Sequence, residues 1–187
     1  MTTLTNQKYL LQIARKTIEK YSLNGSLLEL DDTDFDSELL VKRATFVTLT
    51  KNNELRGCMG ELEAHKPLYQ SVIDNSLASA FLDPRFSPIT HDELTDLKIE
   101  ISILSPLKKL ALNNTQKLLK YLQEKRPGLL IKKNGFQATF LPQVWEELPN
   151  PKDFLSQLCL KAGLPQEQWQ NLDLEISEYQ VEEFKEE

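Results

Sequence analysis

Residues 97–105 read LKIEISILS, with Leu97, Ile99, Ile101 and Ile103 alternating against Lys98, Glu100 and Ser102. Side chains two apart share a face of an extended chain, so this stretch predicts a β-strand with one dry and one wet face. Immediately before it, Thr90-His91-Asp92-Glu93 has the spacing of a capping box and predicts a brief helix ending near Leu97. Upstream, Ala44–Thr50 is β-branched and aromatic, residues 51–54 are turn-like, and Leu55–Gly60 is extended again, which predicts a hairpin. Downstream, GLLIKKNGFQATFLP (128–142) folds back on itself at Asn134-Gly135, a strong short-range hairpin signal. Tight hairpins mean antiparallel pairing, and the elements do not alternate as βαβ units. The fold class is therefore α+β, an antiparallel sheet with flanking helices.

The helices follow from apolar spacing and punctuation. Leu10, Ile13, Ala14, Thr17, Ile18 and Tyr21 line one face of a helix over 5–23, stopped at Asn24-Gly25. Tyr69, Val72, Ile73, Leu77, Ala80 and Phe81 line another, which starts at Pro67 and cannot pass Asp83-Pro84. Leu118, Leu119 and Leu122 mark a third over 115–125, and Asn150-Pro151 opens a fourth that ends at Gly163. Residues 24–42 read as a long surface connection with one short helical turn. LDLEISEYQVEEF (172–184) reads as one closing strand, with a phase break near Ser177-Glu178 that predicts a bulge.

Composition narrows the function. The chain of 187 residues fits one domain or two small lobes, and 22 basic against 28 acidic residues give a net charge of −6. That balance argues against sequence-independent attraction to nucleic acid or an anionic membrane, both of which need clustered Lys and Arg. No apolar run of about 18 residues occurs and the N-terminus lacks a signal-peptide pattern, so the expected location is cytoplasmic. Two cysteines in dissimilar contexts, Cys58 and Cys159, predict free thiols, with Cys159 on the apolar face of the fourth helix as part of the core.

The chemistry concentrates in LRGCMG, Leu55–Gly60. On a strand Arg56 and Cys58 point the same way, and a guanidinium beside a thiol favours the thiolate. Gly57 and Gly60 clear space for a ligand or another backbone. The bland alternative is a small buried cysteine beside a bulge glycine, with Arg56 in a surface ion pair. DPRFSPI, Asp83–Ile89, is a rigid turn that presents Asp83 and Arg85, either toward a pocket or as a helix stop with a local ion pair. Neither His65 nor His91 has a catalytic or zinc-ligand spacing. The run Asp31–Asp36 begins like a calcium loop, but Ser37 replaces the turn glycine and Arg43 the bidentate glutamate, so a solvated acidic loop is expected. No metal site and no cofactor motif is expected.

Seven stretches occur in the order of a known family: FVTL (46–49), LRGCMG (55–60), PL (67–68), DPRFSPI (83–89), EISILSP (100–106), FLPQV (140–144) and LCLKAGLP (158–165). From about residue 43 to Trp169 the chain resembles an AMMECR domain, also called AmmeMemoRadiSam system protein A. It departs from that pattern at Ala44, at Met59 and in Asn75–Ala80, where alanine is commoner. The resemblance implies one α+β domain over 1–187, with a larger lobe containing both termini, a smaller lobe, and the RGC segment near a cleft between them. It names no reaction. It implies a place alongside Memo-like and radical S-adenosylmethionine proteins as partners.

Two function classes follow. One is binding of a small anionic metabolite in the cleft, as an enzyme using Cys58 as thiolate nucleophile or acid/base group, with Arg56 lowering its pKa and binding the anion, Arg85 pairing with the anion or with Asp83, and Gln143 donating a hydrogen bond. The other is a non-catalytic adaptor in which the same cleft or an adjacent apolar surface docks a pathway partner. The missing histidine base favours the second; a thiol flanked by glycines and a cation favours the first.

Overall fold

The structure is a computed structural model that describes residues 2–30, 35–111, 114–171 and 173–187. Asp31–Asp34, and with them the calcium-loop reading, lie outside the described residues. The elements in chain order are α1 (Leu4–Asn24), α2 (Ser37–Leu40), β1 (Ala44–Lys51), β2 (Glu54–Gly60), α3 (Leu68–Leu77) with a π-helical continuation (Ala78–Leu82), and a 3-10 helix (His91–Asp96). Then follow β3 (Leu97–Leu104), β4 (Lys108–Lys109), α4 (Thr115–Lys125), β5 (Gly128–Lys133), β6 (Phe136–Phe140), α5 (Val144–Glu147) and α6 (Pro151–Lys161). A second 3-10 turn (Gln168–Asn171), β7 (Glu175–Tyr179) and β8 (Val181–Lys185) complete the fold. The class is α+β, in two compact units: Met1–Pro106 with Glu182–Glu187, and Leu107–Val181.

The first unit is built on a sheet of order β2-β1-β3-β8. β1 pairs antiparallel with both β2 and β3, setting Val47 opposite Ile101 and Leu49 opposite Ile99. These four side chains are fully buried, in one cluster with Leu10, Ile13 and Ile18 of α1 and Val72 and Ile73 of α3. Each such burial contributes about 1.5–3 kcal/mol. Within β3 the aliphatic face is dry as the alternation requires, but Ser102 on the opposite face is also buried, and its hydroxyl donates to Glu183 of the neighbouring β8 at 3.2 Å. α1 begins where Thr3 accepts the Asn6 N–H and stops at Gly25, whose φ of 71° completes the left-handed cap.

The helix after Pro67 does not keep one geometry to its end. Its last turn opens to a π-helix at Ala78–Leu82. There Ser79 reaches the hairpin: its hydroxyl donates to Val47 O at 2.7 Å and accepts from Met59 N at 2.9 Å. A polar residue in that turn thus ties helix to sheet where alanine could not.

The second unit carries a sheet of order β4-β7-β5-β6. The β5–β6 hairpin turns at Asn134 and Gly135, both at positive φ, as the Asn-Gly pair demands. Its core includes Leu122, Ile131, Phe154, Leu158 and Cys159, and Trp145 stacks on Phe154 at 3.8 Å while donating to Pro127 O.

The closing segment corrects the sequence reading. It is two strands in two sheets, β7 beside β5 and β8 beside β3, divided at Gln180. The phase break marks a change of partner sheet rather than an inserted residue. Among the described residues no helix is long and apolar enough to cross a membrane.

Candidate functional site

The β1–β2 hairpin turns at Asn52 and Asn53, whose positive φ values of 54° and 65° suit asparagine. Pairing runs regularly from Phe46↔Gly60 to Leu49↔Gly57, then skips to Thr50↔Leu55. Arg56 is the residue passed over, so it sits in a bulge, a device that re-aims a side chain. Cys58 lies opposite Thr48, half-buried, and the Thr48 hydroxyl donates to its sulfur at 3.3 Å.

Both flanking glycines are required by neighbours. A Cβ on Gly57 would stand 2.1 Å from the Ser79 carbonyl oxygen, so the close approach there is backbone on backbone. A Cβ on Gly60 would stand 2.3 Å from the Phe46 ring.

β2 is an edge of its sheet, and the turn after the π-helix serves the Cys58 peptide where no strand does. Asp83 Oδ2 accepts the Cys58 N–H at 2.9 Å, and Arg85 Nη2 donates to the Cys58 carbonyl at 3.2 Å. Asp83 also accepts from the Arg85 backbone at 3.1 Å and from its guanidinium at 3.0 and 2.7 Å. Its side chain is 2 % exposed, that of Arg85 54 %. The guanidinium hydrogen bond holds the Asp83 carboxyl well below the usual carboxylate range in spite of burial. Arg85 is raised in turn, first by its hydrogen bond to Asp83.

Arg56 departs from the role that strand alternation suggested. Its guanidinium makes a two-pronged pair with Glu93, Nε to Oε1 and Nη2 to Oε2 at 3.1 Å each, and Nη1 donates to Ser87 O at 2.9 Å. Lys51 joins the same carboxylate at 3.2 Å, and the Arg56 hydrogen bond leads in pulling Glu93 down to about 2. The bulge thus commits the Arg56 charge to a carboxylate, and the guanidinium against the Cys58 peptide is that of Arg85. Both arginines flank the Phe86 ring, at 6.0 and 5.4 Å from its centroid.

The structure brings together Arg56, Gly57, Cys58, Asp83 and Arg85, with Gly60 at the end of the same strand. Gln143 belongs to the second unit, exposed at the start of α5 without a side-chain capping bond. His91 contacts Ser22 at 3.3 Å, and His65 contacts Glu63. Among the described residues no group of three His, Cys, Asp or Glu could hold a metal ion. Sequence reasoning missed Thr48, Ser79, Lys51 and Glu93. Glu93 carried a signal in its capping box, which is present here while its carboxylate also binds Arg56, and Ser79 only a departure from the family's alanine. Chemically the cluster offers a thiol with a hydroxyl donor, and three cations against two carboxylates. Two hollows of about 840 Å³ in the first unit are lined by other residues.

The AMMECR1 family profile matches residues 11–184. A Methanopyrus kandleri protein is 36% identical over 193 residues, 99% of this chain and 90% of its own length. A Nanoarchaeum equitans protein is 39% identical over 179 residues, 95% of this chain and 98% of its own. The crystal structure of an uncharacterized protein from Pyrococcus horikoshii superposes with a TM-score of 0.87 at 33% identity, covering 97% of this chain and 91% of that one.

Proposed function

The chain belongs to the AMMECR1 family, and on that premise we propose that the Cys58 cluster is a cytosolic binding site for a small anionic metabolite, with Cys58 as its reactive group. One observation carries this reading: a half-buried sulfur that accepts a hydroxyl proton, on a peptide gripped by Asp83 and by an exposed guanidinium. Arg85 is the anion ligand, because more than half of its side chain is open to solvent, while Arg56 shapes the site through Glu93 and Phe86.

The adaptor reading draws on a different observation. Leu55, beside Arg56, and Leu82, beside Asp83, are 44 % and 70 % exposed, apolar side chains of the kind that dock a protein. The partners that the family resemblance implies are Memo-like and radical S-adenosylmethionine proteins. A thermal-shift screen of small anionic metabolites separates the two readings. Ligand binding predicts a hit that raises the melting temperature of the wild type and is lost in Arg85→Gln. A screen without hits, together with partner binding that survives Cys58→Ser and fails in Leu82→Asp, would favour the adaptor.

A further inference from the structure

A second hollow of the first unit, apart from Cys58, is built like a ligand site. Lys16, Glu19, Lys20 and Leu23 recur at helical spacing along one face of α1. With Leu28 and with His91, Asp92, Leu94 and Thr95 of the 3-10 helix they line an open hollow of about 840 Å³, within the range of small-molecule pockets. Leu94 is buried, while Leu23 is 69 % exposed, an apolar side chain at the mouth with no protein covering it. Four charges ring this apolar floor: Lys16, Lys20, Glu19 and Asp92. None of the four makes an ion pair among the described residues, although opposite charges on one exposed helix face commonly pair. The rim is therefore balanced in charge, with both signs open to a visitor.

We propose that this hollow binds a small zwitterion with apolar side chains, the chemistry of a short hydrophobic peptide. Its carboxylate pairs with Lys16 and Lys20, its ammonium with Glu19 and Asp92, and its side chains cover Leu23, Leu28 and Leu94. A purely anionic or cationic amphiphile would meet two like charges at the rim, and a neutral one would leave all four unanswered.

The test titrates the full chain with the dipeptide Leu-Leu by calorimetry, beside N-acetyl-Leu-Leu, which lacks the ammonium, and Leu-Leu amide, which lacks the carboxylate. Saturable binding of Leu-Leu is expected, weakened about two- to five-fold for each blocked form, as exposed ion pairs would dictate. Leu23→Asp should weaken it further, about ten-fold, because a charge replaces apolar cover. Lys20→Glu, a surface change that leaves the core alone, should weaken Leu-Leu more than it weakens the amide. No saturable binding of Leu-Leu, or equal affinity for all three peptides, would overturn the proposal, as would binding untouched by both variants.

Discussion

Replacing Gly57 by alanine tests how the Cys58 site is held. The new Cβ would lie 2.1 Å from the Ser79 carbonyl oxygen and 3.1 Å from its carbon, more than about 1 Å short of ordinary contact. The obstacle is backbone, and it sits in the π-helical turn whose Ser79 hydroxyl ties Val47 to Met59 and whose end delivers Asp83 to Cys58. Overpacking a rigid site costs about 1–3 kcal/mol, and losing a hydrogen bond to a charged group a further 1.5–3 or so. The expected loss is thus about 3–5 kcal/mol. Both tryptophans, Trp145 and Trp169, belong to the second unit, so fluorescence would not report the change directly. Amide hydrogen exchange by mass spectrometry does, in peptides covering β1, β2 and residues 78–85, where opening should become at least about a hundred-fold easier. Gly25→Ala is the control: its φ is 71° but nothing lies within 4 Å, so only about 1 kcal/mol of backbone strain applies. If Gly57→Ala exchanges no faster than Gly25→Ala, the close approach is not what keeps glycine there.

Three further outcomes are expected. Glu93→Gln removes the carboxylate shared by Arg56 and Lys51 and should destabilise the first unit by about 1–3 kcal/mol in urea melts; no change would mean the pair is merely a surface contact. Stability should fall as pH drops: Asp83 and Glu93 both have lowered folded pKa values, so their contributions are complete above the ordinary 3.8 and 4.5. They are lost on acidification, that of Glu93 through about 2, and thermal melting from pH 6 to 2 would contradict this if flat. In the second unit, Trp145→Phe loses ring area over Phe154 and the bond to Pro127 O, and should cost about 1–3 kcal/mol by denaturant titration.

What was legible in the sequence was local. The Asn-Gly hairpin, the Asn150-Pro151 helix start and the alternation in LKIEISILS all depend on neighbours along the chain, and all stand in the structure. The division of the last segment at Gln180 was not legible, because a strand's partner sheet is a long-range choice and leaves only a slipped phase in the sequence. At the site, alternation rightly set Cys58 on a strand but misjudged the company of Arg56. A bulge adds a residue without altering composition, and the carboxylate that receives Arg56 lies 37 positions away. Asp83 and Arg85 were visible as a rigid pair; that they cap the Cys58 peptide depends on the π-turn that aims them. Ser79, which anchors that turn, stood out only as a departure from alanine.

The most direct test compares alkylation of Cys58 by iodoacetate and by iodoacetamide, electrophiles of similar size that differ in charge. Cys159 is fully buried, so the folded protein reports Cys58 alone. With Arg85 serving as an anion ligand beside the thiol, the iodoacetate-to-iodoacetamide rate ratio should exceed that of glutathione by about two- to five-fold and fall back to it in Arg85→Gln. A ratio equal to that of glutathione in both proteins would contradict the proposed anion site.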